Sequence, residues 1–272
     1  MVLFETAHRV VNNLAQWPVL GNIARRQYDR AFEANRDQNL FRNVFDSFEA
    51  AQNSAPVGRS IGYDNPDSAK MYVDRTRKIY PTDYPVIYWL QQLFEDGCTS
   101  VFDVGGHIGV SYYAYRKYLK YPHRFTWTVH DVPAVMAEGR RIAIEKDTAT
   151  YLRFSDNFND CDGVDVLFAL GSLQYLPETL YGRLANLTIM PRYLLLNLTP
   201  LHERESFFTL QSIGTTFCPY RITAVGTFLK GIGSLGYKLL DTWDNPDKKC
   251  EIPFHPEYSL ERYHGFCFKQ MD

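Results

Sequence analysis

The hydrophobic positions change period along the chain. Up to about residue 50 they recur at helical spacing. Val10, Val11, Leu14 and Trp17 share one face before Pro18, and Phe41, Val44, Phe45 and Phe48 share another. This predicts one helix before Pro18 and a second helical run from Ile23 to about Ala51. Residues 52–68 are rich in Gly, Pro, Asn and Asp and read as a loop. Helices are expected over 66–79 and 86–94, with Pro81 and Pro85 between them. From Thr99 short β-rich runs alternate with helical stretches. The runs are 100–104, 125–130, 151–154, 164–169, 193–198, 237–243 and 265–270; the helical stretches are near 110–120, 133–146, 177–186 and 223–235. Such alternation predicts an α/β fold with a doubly wound, mostly parallel seven-stranded sheet. Several runs are continuously apolar, as strands covered on both faces must be. Between 243 and 265 lie Pro246, Pro253 and Pro256 and no helical period, so no crossover helix is available there. The last strand is therefore expected to be antiparallel. The organisation predicted is an N-terminal helical extension or lid over 1–84 and the sheet domain over 85–272.

Composition narrows the functional classes. Lys plus Arg number 29 and Asp plus Glu 31 in 272 residues, a net charge of −2. There is no basic excess for tracking phosphates, so nucleic acid is not the expected partner. Hydrophobic residues make up 45% and charged residues 22%, a globular balance. Five widely spaced cysteines without a CxxC pair argue against a disulfide framework and for reduced thiols in a cytoplasmic chain. Of Cys218, Cys250, His255 and His264, only Cys250 and His255 are close in sequence, so no metal is expected. No apolar run reaches the roughly 18 residues of a spanning helix. The first residues, Met1 to Glu5, lack the basic start and apolar core of a signal peptide. The first helix, with Arg9, Arg25 and Arg26 near its polar side, could rest peripherally on the inner face of a membrane. Packing against the main domain is the simpler reading. Homodimerisation stays open.

The most informative segment is Asp103-Val104-Gly105-Gly106-His107-Ile108-Gly109, which leaves a predicted strand and opens a helix. Glycines let backbone approach a ligand, and ligands of α/β sheets sit beyond the carboxyl ends of the strands. A dinucleotide fingerprint, G-x-G-x-x-G, fails here at its third and sixth positions. A carboxylate before the glycines would repel pyrophosphate but suits a cationic ligand. Asp131 and Val132 end the second strand, Asp156 and Asn157 the third, and Gly171-Ser172-Leu173-Gln174-Tyr175 follows the fourth.

With these residues in order, the chain resembles the class I S-adenosylmethionine-dependent methyltransferases and their Rossmann-like sheet. Their first motif is an acidic residue followed by G-x-G-x-G. Asp103, Gly105 and Gly109 match, while His107 stands where the middle glycine is usual; histidine tolerates positive φ better than most residues. The resemblance implies S-adenosyl-L-methionine as cofactor, held by Asp103, Gly105, Gly106, His107 and Gly109. It further implies that Asp131, with Val132, takes the ribose hydroxyls and that Asp156, with Asn157, takes the adenine. Gly171 and Ser172 would line the methionine end. Tyr63, in the loop before the sheet domain, would cover the cofactor.

A second resemblance rests on Leu210–Gly214, Phe217–Ile222, Leu235–Tyr237, Asp241–Trp243, Cys250–Phe254 and Tyr263–Phe266, with Phe45–Ala50 and Gly62–Asp64. These strings resemble a little-characterised methyltransferase family associated with bacterial surface-polysaccharide biosynthesis. It implies a small-molecule or glycan acceptor with a hydroxyl or amine. His202, after the fifth strand, is the first candidate for a general base, with Tyr175 and Gln174 orienting the acceptor. His255 and His264 could approach through the last loop. Two alternatives stand beside this: a catalytically silent scaffold, and a nucleotide-sugar oxidoreductase or epimerase.

Overall fold

The chain is described from a computed structural model over residues 18–271. The helix expected before Pro18 lies outside these residues. In chain order the elements begin with α1 (Pro18–Ala34), β1 (Leu40–Phe45), α2 (Phe48–Asn53) and β2 (Ser60–Ile61). Then come α3 (Tyr84–Glu95), β3 (Ser100–Val104), α4 (Val110–Tyr115), β4 (Thr126–His130), α5 (Pro133–Glu145), β5 (Leu152–Phe154) and β6 (Val166–Leu170). They continue with α6 (Leu180–Leu184), β7 (Tyr193–Thr199), β8 (Leu201–His202), β9 (Phe207–Ile213) and β10 (Thr216–Ala224). The last are α7 (Val225–Gly233), β11 (Tyr237–Asn245) and β12 (Tyr263–Gln270).

The expected seven-stranded sheet is present, in the order β11-β12-β7-β6-β3-β4-β5. Strands β5, β4, β3, β6 and β7 run parallel to one another. The last strand, β12, is antiparallel to both β7 and β11, so it lies inside the sheet rather than on its edge. Side chains alternate along each central strand. Val101, Val166, Phe168 and Leu195 join one core with α3, α4 and α5; Phe102, Leu167, Leu194 and Leu196 join the other with α6 and α7. This is the sequence reading of strands covered on both faces.

The first 84 residues are not wholly helical. Residues 40–45 form a strand paired antiparallel with β9, and the stretch 66–79 holds only 3₁₀ turns, Ser68–Lys70 and Val73–Arg77. The register of β1 shifts between Arg42 and Phe45, and Asn43 sits at φ 62°. That bulge breaks the period of two and leaves Phe41, Val44 and Phe45 at a spacing that mimics a helix.

A second sheet, β1-β9-β10-β2 with β8 also on β10, packs over the carboxyl edge of the first. Its centre is a hairpin absent from the sequence expectations. Ile213 pairs with Thr216 across Gly214 and Thr215, and Gly214 takes φ 51°. Helix α1 seals the outer end, where Phe32 stacks on Phe217 with centroids 5.4 Å apart and Arg42 covers the Phe32 ring at 4.7 Å.

Phe32 is fully buried. Its replacement by alanine should cost about 3–5 kcal/mol, the range for a buried aromatic. Scanning calorimetry should show the midpoint falling by roughly 10 °C for a chain of this size. A change of under about 1 °C would mean that α1 does not share the second sheet's core.

Candidate active site

Strands β3 and β4 end level with each other, Val104 opposite His130. The turn Gly105–Gly109 therefore begins beside Asp131. Its first amide continues the ladder, Gly105 N donating to His130 O at 2.7 Å. Three residues of the turn have positive φ: Gly105 at 73°, His107 at 58° and Gly109 at 86°. A Cβ on Gly105 would stand 2.2 Å from Ser172 Cβ, and one on Gly106 2.3 Å from Asp103 Oδ2. The glycines are thus required by neighbours as well as by φ. His107 adopts the left-handed conformation that the motif needs at this position.

Each polar group of the turn has a structural consequence. Asp131 Oδ2 accepts from His107 N at 2.8 Å and its Oδ1 from Val132 N at 2.7 Å. Asp103 Oδ2 accepts from Trp127 Nε1 at 2.9 Å. Burial raises both carboxyls; Asp103 is pushed up to about 8, opposed by the Trp127 bond and assisted by the charge of Asp131. His107 Nε2 lies 2.9 Å from Ser68 O, a pure acceptor, so Nε2 carries the proton. Its Nδ1 is then an acceptor, buried and without a partner among the described residues. Burial lowers the His107 pKa, keeping the ring neutral.

After β6, Ser172 Oγ donates to Val104 O and Gln174 Nε2 to Gly171 O at 2.7 Å. Gln174 Oε1 is buried without a partner among the described residues. The Tyr175 hydroxyl donates to Gln211 Oε1 of β9 at 2.8 Å, and the Tyr63 ring packs edge-on against Tyr175 at 5.1 Å. Burial pushes both phenols well above their usual value, so they remain protonated.

These groups line one cavity of about 620 Å³ between the two sheets. The structure brings to its wall Tyr63, Asp103, Gly105, Gly106, His107, Asp131, Val132, Gly171, Ser172, Gln174 and Tyr175. Gly109 stands just behind it, capping α4. Asp156 and Asn157 do not reach the wall. Both are exposed, and the Asn157 side chain is spent on Asn159 N and Asp160. His202 does not reach it either. Its Nε2 donates to Glu257 O at 3.0 Å, and Nδ1 accepts from Glu205 N at 3.0 Å. Neither ring nitrogen is left for a proton in transit, so the base role expected of His202 has no geometric support. His264 pairs with Asp244, and His255 faces Glu257, both away from the cavity.

Sequence reasoning missed other wall residues. Tyr72 and Arg75 come from the 3₁₀ turns, Gln211, Cys218 and Tyr220 from the hairpin, Lys248 from the segment after β11, and Tyr263 from β12. The glycine-threonine pair between two β-rich runs was the available signal for the hairpin. The five cysteines are buried free thiols. Among the described residues no cluster of metal-binding side chains occurs and no helix is long and apolar enough to cross a membrane.

No family model matches the chain, and no curated protein shows significant similarity to it. Among solved structures it is similar to a candidate sarcosine dimethylglycine methyltransferase from Galdieria sulphuraria. That match has 12% identity and a TM-score of 0.51, covering 78% of this chain and 99% of the other. It is also similar to the 1,6-didemethyltoxoflavin-N1-methyltransferase of Burkholderia thailandensis, solved with S-adenosylhomocysteine. There the identity is 14% and the TM-score 0.46, covering 76% of this chain and 83% of the other. The Galdieria likeness is one of fold: this chain shares that protein's Rossmann-like α/β architecture.

The raised Asp103 carboxyl makes stability depend on pH. An unfolded aspartate ionises near ~3.9, while the folded one does so at about 8. Between those values the folded chain holds a proton that the unfolded chain lacks. Stability from this group is therefore full below about pH 4, falls as pH rises, and levels off above about pH 8. Urea unfolding of wild type and Asp103→Asn across this range should show wild type losing ground relative to the variant. A difference that is constant with pH would show that Asp103 ionises as if exposed.

Proposed function

We propose that the chain is an S-adenosyl-L-methionine-dependent methyltransferase acting on a small molecule, with a glycan or sugar nucleotide as the finer reading. The observation that carries it is the glycine turn on the wall of a cavity, flanked by carboxyls at the ends of adjacent parallel strands. The residues fit such a cofactor. Each Asp131 oxygen takes one backbone N–H and keeps a lone pair for a ribose hydroxyl. Without Cβ atoms, Gly105 and Gly106 let Ser172 and Asp103 pack against the turn and fix its shape. Gln174 Oε1, buried and unpartnered, is an acceptor suited to an ammonium group. When bound, the cofactor supplies an electrophilic methyl on sulfur.

What the chain's own residues contribute is mainly alignment, an effect worth up to ~7–11 kcal/mol. Tyr63 and the 3₁₀ turns after it roof the turn and exclude water. Tyr175, fixed by Gln211, and Gln174 orient the acceptor. A cytoplasmic location, free or peripheral to the inner membrane face, accompanies this reading.

A thermal melt with S-adenosylhomocysteine tests it. At 100 times its dissociation constant a ligand adds about 2.7 kcal/mol, or roughly 5–10 °C here. Asp131→Ala should weaken binding at least tenfold, since hydrogen bonds to a charged group are worth about 1.5–3 kcal/mol each. A folded wild-type sample that does not shift at saturating ligand would refute the proposal.

A further inference from the structure

The cavity wall carries charges of both signs. Asp131 supplies one; Arg75, from the turn Val73–Arg77, and Lys248, from the segment after β11, supply the other. Both cations are half-buried on the cavity wall. Neither side chain makes a hydrogen bond or an ion pair among the described residues. Arg42, Arg141, Lys249 and Arg262, by contrast, all have carboxylate partners.

The two cations also act on one another. Burial lowers the Lys248 pKa, and the charge of Arg75 adds to that effect. The carboxylates whose fields reach Lys248 are Asp83 and Asp247, and neither lines the cavity. Asp83 is already committed, accepting from Tyr80 N at 2.7 Å and from the Tyr115 hydroxyl at 3.0 Å. Arg75 is oriented rather than loose. Its guanidinium lies 4.8 Å from the Tyr80 ring centre and 5.6 Å from that of Tyr72. Stacking of this kind leaves the planar fork of donors presented for a carboxylate or phosphate. Two like charges held together at low dielectric are costly until an anion joins them.

We infer that the methyl acceptor carries an anionic group, a carboxylate or a phosphate, bound between Arg75 and Lys248 on the wall of the cavity. This rests on the methyltransferase reading only for the word acceptor; the anion site itself is a property of the two side chains.

The test is isothermal titration of the full chain, alone and with saturating S-adenosylhomocysteine. Inorganic pyrophosphate is the phosphate probe, D-glucuronate the carboxylate probe and D-glucose the uncharged control. Wild type should bind at least one anion in preference to glucose, more weakly as salt is raised. Arg75→Gln and Lys248→Gln, both partly exposed positions, should each weaken that binding at least tenfold while S-adenosylhomocysteine affinity holds within twofold. Preference for pyrophosphate assigns a phosphoester acceptor, and preference for glucuronate a carboxylated one. Anion binding no better than glucose, or binding undiminished in both variants, overturns the inference. Wild-type anion binding that is lost in the variants, in a protein that fails to bind S-adenosylhomocysteine, keeps the anion site and removes the methyltransferase reading instead.

Discussion

The carboxylate of Asp131 is the constraint from which the site is built. A buried carboxylate must have its hydrogen bonds satisfied. Asp131 meets this requirement with two backbone amides, one from its own strand end and one from His107. The second bond pins the glycine turn against β4 and helps hold His107 in the left-handed region. The His107 ring then points at Ser68 O and packs edge-on against Tyr72 at 5.1 Å. Four residues before Ser68, Asp64 Oδ1 accepts from Ala134 N in the first turn of α5. The covering segment is therefore tied down on both sides of the turn. From Tyr63 the contacts run to Tyr175 and on to Gln211 in β9. One strand-end carboxylate thus connects the parallel sheet, the cover and the second sheet.

The second sheet stops short of closing over the cavity for a reason visible in β10. Beyond β9, its other edge is paired only at its ends. Thr216 and Phe217 meet β2, and Thr223 and Ala224 meet β8. Between them lies Pro219, which has no N–H to offer a further strand and lines the cavity. The gap leaves room for a ligand, while Tyr220 and Tyr263, joined hydroxyl to hydroxyl at 2.8 Å, stiffen its wall.

What could be read from the sequence followed the range of the physics involved. The parallel strands were legible because double burial imposes continuous apolar runs. The glycine turn was legible because its steric demands are local, and the positive φ of His107 followed from the residue type. Strand β1 was misread because its bulge places apolar side chains at helical spacing. The hairpin of β9 and β10 carries one local signal, Gly214-Thr215 between two β-rich runs. His202 is a different kind of miss. It does follow the fifth strand of the parallel sheet, but the chain turns again at Pro200 into β8, and the ring faces Glu257. Arg75 and Lys248 lie 173 residues apart, and no sequence pattern announces that they share a wall.

That separation also explains why bulk charge said so little about the site. A net charge of −2 describes a nearly neutral chain, yet the cavity wall carries residues of both signs. The acidic groups come from the strand ends that the α/β fold fixes, so their position is inherited with the sheet. The cations come from the cover and from the segment after β11, parts that the sheet does not dictate. At an effective dielectric of about 20, two unit charges ~4 Å apart interact by roughly 4 kcal/mol. A cation placed between Arg75 and Lys248, or an anion placed against an ionised Asp131, would lose that energy instead of gaining it. The cations therefore bear directly on which ligands the cavity can take.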